Sequence, residues 1–400
     1  MKILVVCQCY YPDQFRVNDI CETLAQRGHD VTVLTGLPNY PHGKILPEYR
    51  WPKGRREVIS GVNIIRVPLV GRGNNLFSLS MNYLSFALTS SIKALFLEKD
   101  FDVVFVYQLS PVTMALPALF YKKIAKKNVL LYCLDIWPES LVAGGIGHDS
   151  LIYKVLLAIS HKIYKTVDSI AVSSQSFIDY IKNIVGVKNQ DFLYLPQYAE
   201  ELFSINQSEE LIDHKKRVDL LFAGNIGEMQ SVETIVRAAA ELKDIPNLMW
   251  HIVGDGSSRE KCQELAKKLG LEDKVRFYGQ RPVTDMPKLY SKATALLITL
   301  KDNSFISYTL PGKLQSYLAA GRPIIGAIGG EARKVIEESN CGLCCDPEDH
   351  IRLAELVKRF VSEPEKHQAY TLNGRLYYEK YFNKDIFINH LIDKLAELAG

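Results

Sequence analysis

Short apolar runs alternate with helical patterns along all 400 residues, and this alternation restricts the possible folds more than any other feature. In the first half the runs are 2–7, 30–35, 64–69, 102–108, 129–135, 169–174 and 192–196. In the second they are 218–224, 248–254, 275–279, 295–300, 323–328 and 342–346. Most are apolar at consecutive positions, the pattern of strands covered on both faces of a parallel sheet. Between them, 231–242 sets Val232, Ile235, Val236, Ala239 and Leu242 on one helical face, and 258–269 does the same with Cys262, Leu265, Ala266 and Leu269. Such alternation predicts doubly wound α/β sheets, and two sets of strands predict two domains. The polar stretch 199–217 lacks strand patterning and marks the break. The expected division is a Rossmann-like domain over 1–199, a linker over 200–217, a second such domain over 218–380 and a final helix over 381–400 that packs back towards the first domain.

Composition narrows the function. Hydrophobic residues at 47% and charged residues at 23% exclude disorder, collagen and coiled coil. A net charge of +3 is too balanced for a chain that coats nucleic acid, so no nucleic-acid partner is expected. The basic excess lies in the first half, with 21 basic against 16 acidic residues in 1–200, and 27 against 29 in 201–400. The eight cysteines mostly fall in apolar runs, and Cys341 and Cys344 have no second pair or histidine at metal spacing. Free thiols in a reduced compartment, with neither metal nor cofactor, are expected. The N-terminal apolar run is too short for a signal peptide, and 76–97 carries Asn82, Lys93 and serines, too polar for a membrane span. A cytoplasmic protein that touches the inner face of the cell membrane is the expectation.

Ligands of open α/β sheets bind beyond the carboxyl ends of the strands. The second half has four glycine or serine turns there: 221–231, 252–258, 308–313 and 329–331. Glycines admit an anion to the backbone, and helix N-termini offer free N–H groups. Lys313 follows Pro311-Gly312 at a helix start, where a cation opposes the helix dipole unless an anion sits beside it. A phosphate contact and a solvated lysine are the two readings of that residue.

These turns carry a resemblance. F-A-G-N-I-G at 222–227, W-H-I-V-G-D-G at 250–256, F-Y-G-Q-R-P at 277–282 and P-G-K-L-Q-S-Y-L-A-A-G-R-P-I-I-G at 311–326 resemble the donor half of a family 4 glycosyltransferase. So does G-G-E at 329–331. In the first half, Y-P-D-Q-F-R-V-N-D at 11–19, R-G-H-D-V-T-V at 27–33, L-P-N-Y-P-H-G-K at 37–44 and D-I-W-P-E-S at 135–140 resemble the branch that builds O-antigens and capsules. Within it the likeness is to transferases of N-acetyl-L-fucosamine onto an undecaprenyl-diphosphate-linked sugar. The resemblance implies the GT-B architecture, two Rossmann-like domains facing a cleft, with a UDP-sugar donor on the second and the lipid-diphosphate-linked acceptor on the first. On this reading Gly224, Asn225, Gly227 and Gln230 face the diphosphate with Lys313, and the turn at Gly254 adjoins them. Arg281 lies by the base, Ser316 by the ribose, and Thr309, Gly330 and Glu331 approach the sugar and phosphates. The chain departs from the wider family at Asn225 and Gln230, where Arg and Lys are usual, and at Tyr308 and Ser316, where the family has glutamates.

Glycosyl transfer needs the departing diphosphate stabilised and the acceptor hydroxyl relieved of its proton. The family is described as retaining, the departing phosphate helping to take the proton. An inverting enzyme needs a carboxylate base, for which Asp135 is the first candidate and Glu139 the second. A helix cap is the plain alternative for Asp135. Arg16, Asn18, Asn39, Tyr40 and Trp137 are the acceptor-side candidates, or else ordinary loop residues. Asp100-Phe101-Asp102 spells a D-x-D metal motif but precedes a buried strand. Lys122, Lys123, Lys126 and Lys127, expected over two helical turns, together with 76–97 would seat the first domain on anionic lipid. The rival readings are a UDP-sugar epimerase of the same architecture, active without acceptor, and an inactive sugar-nucleotide-binding homologue. A dinucleotide dehydrogenase is disfavoured, since Cys7-Gln8-Cys9-Tyr10 stands where G-x-G-x-x-G belongs.

Overall fold

The computed structural model describes residues 1–40, 43–50, 53–73, 75–143, 145–203 and 217–400. They divide into two compact units, Met1–Leu195 with Phe387–Gly400, and Pro196–Ile386.

The first unit carries β1 (Lys2–Val6), β2 (Asp30–Gly36), β3 (Arg56–Ile59), β4 (Val62–Val67), β5 (Val103–Gln108), β6 (Val129–Cys133), β7 (Ser169–Val172) and β8 (Asp191–Tyr194). Their order in the sheet is β3-β4-β2-β1-β5-β6-β7-β8. All neighbours run parallel except β3 and β4. Every residue of β5 and β6 is buried, which is why these runs are apolar without alternation. The unexpected strand is β3. Its sequence REVI is exposed at alternate positions, and it reaches β4 through Ser60-Gly61, both at positive φ, as a tight hairpin requires.

The second unit carries β9 (Val218–Ala223), β10 (Leu248–Val253), β11 (Val275–Phe277), β12 (Ala295–Thr299), β13 (Ile324–Ala327) and β14 (Gly342–Cys345), all parallel. The order β11-β10-β9-β12-β13-β14 is that of a doubly wound dinucleotide-type sheet. Strand order reverses between β9 and β12 here, and between β1 and β5 in the first unit, so each sheet has one switch point.

The boundaries differ from those read in the sequence. The break falls after Leu195, because Ala199 and Phe203 belong to the apolar cluster of Leu221, Tyr290 and Tyr317 in the second unit. Of the expected linker, 204–216 lie outside the described residues. Phe382 also packs in that second-unit cluster, so the return to the first unit begins at Phe387, whose ring lies 5.7 Å from that of Tyr132. Lys394 then pairs with Asp191 at 2.6 Å.

Two helices of the first unit bear on function. Leu76–Leu95 starts with a capping box between Asn75 and Ser78. Its buried residues include Asn82, Ser90 and Ser91, while Leu76, Phe77, Leu84, Leu88 and Ile92 are exposed. The helix is therefore more apolar outside than a water-facing surface requires. The helix Leu116–Ala125 ends earlier than the lysine pattern implied. Lys126 adopts φ 59° and closes it, so Lys126 and Lys127 lie beyond its last turn rather than on its face. Lys122 is held by Asp168.

Candidate active site

At the carboxyl end of the second sheet, β9 gives way to Gly224 and β10 to Gly254. Gly224 sits at φ 149°, and a Cβ there would lie 3.1 Å from Lys313 Nζ. Gly254 sits at φ 137°, and its Cβ would strike the Gly224 carbonyl oxygen at 1.8 Å. Only glycine allows these two backbones to approach so closely. The Gly224 N–H donates to Val253 O and the Ile226 N–H to Asp255 O, so the two turns form one backbone shelf.

Lys313 reaches that shelf from the second residue of the helix Gly312–Ala319. Its ammonium lies 4.0 Å from the centre of the Phe222 ring, is buried, and has no hydrogen-bond partner among the described residues. Burial lowers its pKa from 10.5 to about 7. A buried cation at the positive end of a helix, against a glycine turn at the switch point, is stabilised by an anion and by little else.

Asn225 and Gln230 meet side chain to side chain, Asn225 Nδ2 donating to Gln230 Oε1 at 3.1 Å, with Gly227 packed against both. Thr299, at the end of β12, donates to Gln230 O at 2.6 Å and ties the turn across the switch point. Gly330 has φ 62° and touches the Ser307 backbone, which sets the start of Gly330–Ser339 against the 308–312 turn. Glu331 is buried in the first turn of that helix. Arg281 is exposed on the loop after β11. Thr309 and Ser316 turn their hydroxyls onto local carbonyls, Ile306 O at 2.9 Å and Gly312 O at 3.4 Å.

In the first unit Asp135 lies on the loop after β6 and is not a helix cap. The helix that follows is Glu139–Ala143. Asp135 Oδ2 accepts from the Ser110 hydroxyl and from Trp137 Nε1 at 3.3 Å, and Trp137 Nε1 also donates to Ser110 Oγ at 3.0 Å. Asp135 Oδ1 is buried with no partner among the described residues. Burial pushes the carboxyl up to about 7, against the Trp137 and Ile136 N–H groups that pull it down. Gln108 Nε2 holds the Asp135 carbonyl at 2.9 Å. One oxygen is thus fixed while the other is left to take a proton near neutrality, the condition for general-base work. Glu139 is placed differently. Its oxygens accept from Tyr153 OH at 3.1 Å and meet His148 Nε2 at 3.2 Å.

The remaining acceptor candidates separate. Arg16 and Asn18 are not on a loop; both lie in the helix Arg16–Gln26, because that helix begins directly after the Pro12–Phe15 turn. Asn18 is buried and donates to Asp13 O at 2.9 Å. Asn39 is also buried, with Nδ2 on Leu37 O and Oδ1 receiving the Arg72 N–H at 3.1 Å. Tyr40 alone of these is exposed, its ring 5.1 Å from that of Phe15.

Sequence reading missed Ser110, Asp13 and Arg66. Asp13 receives the backbone N–H groups of Tyr40 and Asn39 at 3.3 and 3.4 Å, and burial raises its carboxyl to about 6 against those bonds. Arg66 lies buried in β4, bonded to Glu57, Gly54 O and Tyr11 O. A charged residue amid the apolar 64–69 run was the available signal for it. Asp100 and Asp102 hold the Lys2 side chain and the Lys2 N–H, at the amino end of β1, so D-x-D is a tie between strands.

Two doubly wound sheets with the strand orders above define a GT-B fold, and solved structures agree over nearly the full length. Sucrose-phosphate synthase from Thermosynechococcus elongatus superposes with a TM-score of 0.72 at 16% identity, covering 99% of this chain and 98% of that one. Anabaena HepE, solved in complex with UDP, gives 0.69 at 14% identity, covering 99% and 100%. The sequence agrees in kind: the family described as Glycosyl transferase 4-like domain matches residues 14–197, and Glycosyl transferases group 1 matches 204–377. The chain belongs to the family 4 glycosyltransferases and is a transferase. Among curated relatives, WcaI of Escherichia coli (strain K12), a glycosyl transferase named for colanic acid biosynthesis, is 24% identical over 99% of this chain and 100% of its own.

Proposed function

We propose that this enzyme transfers a sugar, N-acetyl-L-fucosamine, from its UDP derivative to an undecaprenyl-diphosphate-linked saccharide in capsule or O-antigen synthesis. The observation that carries the donor side is the buried, unpartnered Lys313 ammonium against the Gly224 turn. The UDP complex of HepE and the naming of WcaI for a surface polysaccharide support the donor class and the pathway.

In this reading the shelf at Gly224, Asn225, Gly227, Gln230 and Gly254 holds the diphosphate through backbone N–H groups, and Lys313 neutralises it. Arg281 adjoins the base, Ser316 the ribose, and Thr309, Gly330 and Glu331 the sugar. The acceptor hydroxyl attacks the anomeric carbon, the bond from that carbon to the diphosphate oxygen breaks, and UDP departs with the electron pair. Lys313 stabilises the charge gained by the leaving group. In an inverting transfer Asp135 Oδ1 accepts the hydroxyl proton, with Ser110 and Trp137 holding the other oxygen, whereas in a retaining one the departing phosphate takes it. Glu139 serves as a brace for Tyr153 and His148 beside it, and Arg16, Asn18, Asn39 and Tyr40 shape the acceptor loops. Incubation of UDP-N-acetyl-L-fucosamine with a farnesyl-diphosphate-linked N-acetylhexosamine tests this: sugar must move to the acceptor, and consumption of donor without acceptor would contradict it.

Attachment to the inner face of the membrane belongs to the same proposal. No helix among the described residues is long and apolar enough to cross a bilayer. The outward apolar side of Leu76–Leu95, with exposed Phe120 and Lys123 on the neighbouring helix, suits contact with an anionic lipid surface.

The Lys313 pKa gives a pH signature. Bound diphosphate restores the ammonium, so UDP binding at pH 8 is expected to take up close to one proton and to weaken as pH rises from 7 to 9. Calorimetry in buffers of different ionisation enthalpy reads the uptake, and no uptake at pH 8 would count against the pairing. Without ligand the sign reverses. The folded chain holds fewer protons at Lys313 than the unfolded chain between about pH 7 and 10.5, so this residue's contribution to stability rises with pH across that window.

A further inference from the structure

The donor reading uses Lys313 but leaves a cation of the first unit without a role. Arg72 follows β4 on the segment leading to Leu76–Leu95. Its N–H is fixed on Asn39 Oδ1 at 3.1 Å, and its guanidinium lies over the Tyr40 ring, 5.6 Å from the centre. Asn39 is itself locked, its own N–H on Asp13 and its Oδ1 shared with Asn82. Among the described residues no carboxylate pairs with the Arg72 guanidinium, and no hydrogen bond engages it. Arg66, six positions earlier, has a carboxylate and two carbonyls. A half-buried guanidinium resting on an aromatic face, with no hydrogen bond to its side chain among the described residues, has the fork geometry to receive an oxyanion.

Its surroundings say which molecule would bring that anion. The loops after β1, β2 and β4 that carry Asp13, Asn39 and Arg72 leave the same end of the sheet as the loop after β6 that carries Asp135. Between them, on the helix Leu76–Leu95, stands Tyr83, whose hydroxyl pKa is raised by burial, lowered by Arg72 and raised by Asp135. A few residues after Arg72, Leu76 and Phe77 project outward, 78% and 76% exposed. Resting on the glycosyltransferase reading above, we propose that Arg72 binds a phosphate group of the acceptor while Asp135 meets its hydroxyl. What is added to that reading is the residue that holds the acceptor's phosphate, and the exposed apolar start of the next helix favours a lipid as its source.

The test uses the full chain with its donor site saturated by UDP, titrated with farnesyl diphosphate, pyrophosphate and farnesol. Farnesyl diphosphate is expected to bind wild type and to bind Arg72→Gln at least tenfold more weakly, with Arg72→Lys between them and farnesol far weaker throughout. Pyrophosphate binding as tightly as the lipid, with the same dependence on Arg72, would support the phosphate site and assign it to a soluble acceptor. Equal affinity of wild type and Arg72→Gln for farnesyl diphosphate, or farnesol binding as well as the diphosphate, would overturn the inference. UDP affinity unchanged in Arg72→Gln shows the variant folded. Failure of UDP to bind wild type would instead strike the donor reading, so the two failures are separable.

Discussion

Asp135→Asn is expected to lower kcat by about 10²–10⁴-fold while UDP affinity and thermal stability at neutral pH hold or improve. The substitution keeps the shape and retains an oxygen for the Ser110 hydroxyl and Trp137 Nε1, but removes the basic oxygen. Its stability effect has a definite sign. Because the folded pKa is raised to about 7, the folded chain binds more protons at Asp135 than the unfolded chain between about pH 4 and 7. The stability it confers is therefore full below about pH 4 and is lost as pH rises through 7. Asparagine escapes that loss, so the variant should melt higher than wild type at pH 8. A catalytic collapse with a raised melting temperature cannot come from misfolding. Full activity would leave the departing phosphate as the proton acceptor and return Asp135 to a structural part.

Lys313→Ala is expected to weaken UDP by about 1.5–3 kcal/mol, roughly ten- to a hundredfold, and to lower kcat as well. Both effects follow because diphosphate charge is present in the bound donor and grows as the bond to the sugar breaks. The ligand-free variant should be at least as stable as wild type below pH 7, since it no longer buries an ammonium without a partner. Lys313→Arg is no rescue: a guanidinium is wider than the ammonium, and the Gly224 backbone and Phe222 ring lie close on either side. Unchanged affinity and rate in Lys313→Ala would remove the residue from the site.

The sheet interiors were legible because two-sided burial writes itself as consecutive apolar residues. Every run expected as a strand forms one, most of them shortened by a residue or two where the turn begins, while β2 runs on to Gly36 and β4 and β8 start earlier, at Val62 and Asp191. β3 escaped because an edge strand buries neither face fully, so REVI lacks the signal. Lys313 was legible from its conflict with the helix dipole, which is local. What holds Asp135 was not, since Ser110 lies 25 positions away and meets it only once β5 and β6 pair. Asn18 and Asn39 show a different limit. Polar residues beside a predicted site looked like ligands, whereas both are buried and give their amide N–H groups to backbone carbonyls, Asn18 Oδ1 alone being without a partner among the described residues. The helix Leu76–Leu95 looked too polar to span a membrane, and the fold explains part of the mixture by turning Asn82, Ser90 and Ser91 inward and Leu76, Leu84, Leu88 and Leu95 out.

The proposed transfer requires a nucleotide-diphosphate site at the switch point of the second sheet, formed by this chain's own backbone and one lysine. Calorimetric titration of the full chain with UDP, in the presence of a chelator, tests it most directly. One UDP is expected to bind per chain under those conditions, roughly ten- to a hundredfold more weakly in Lys313→Ala. No binding of UDP, or binding indifferent to Lys313, would contradict it.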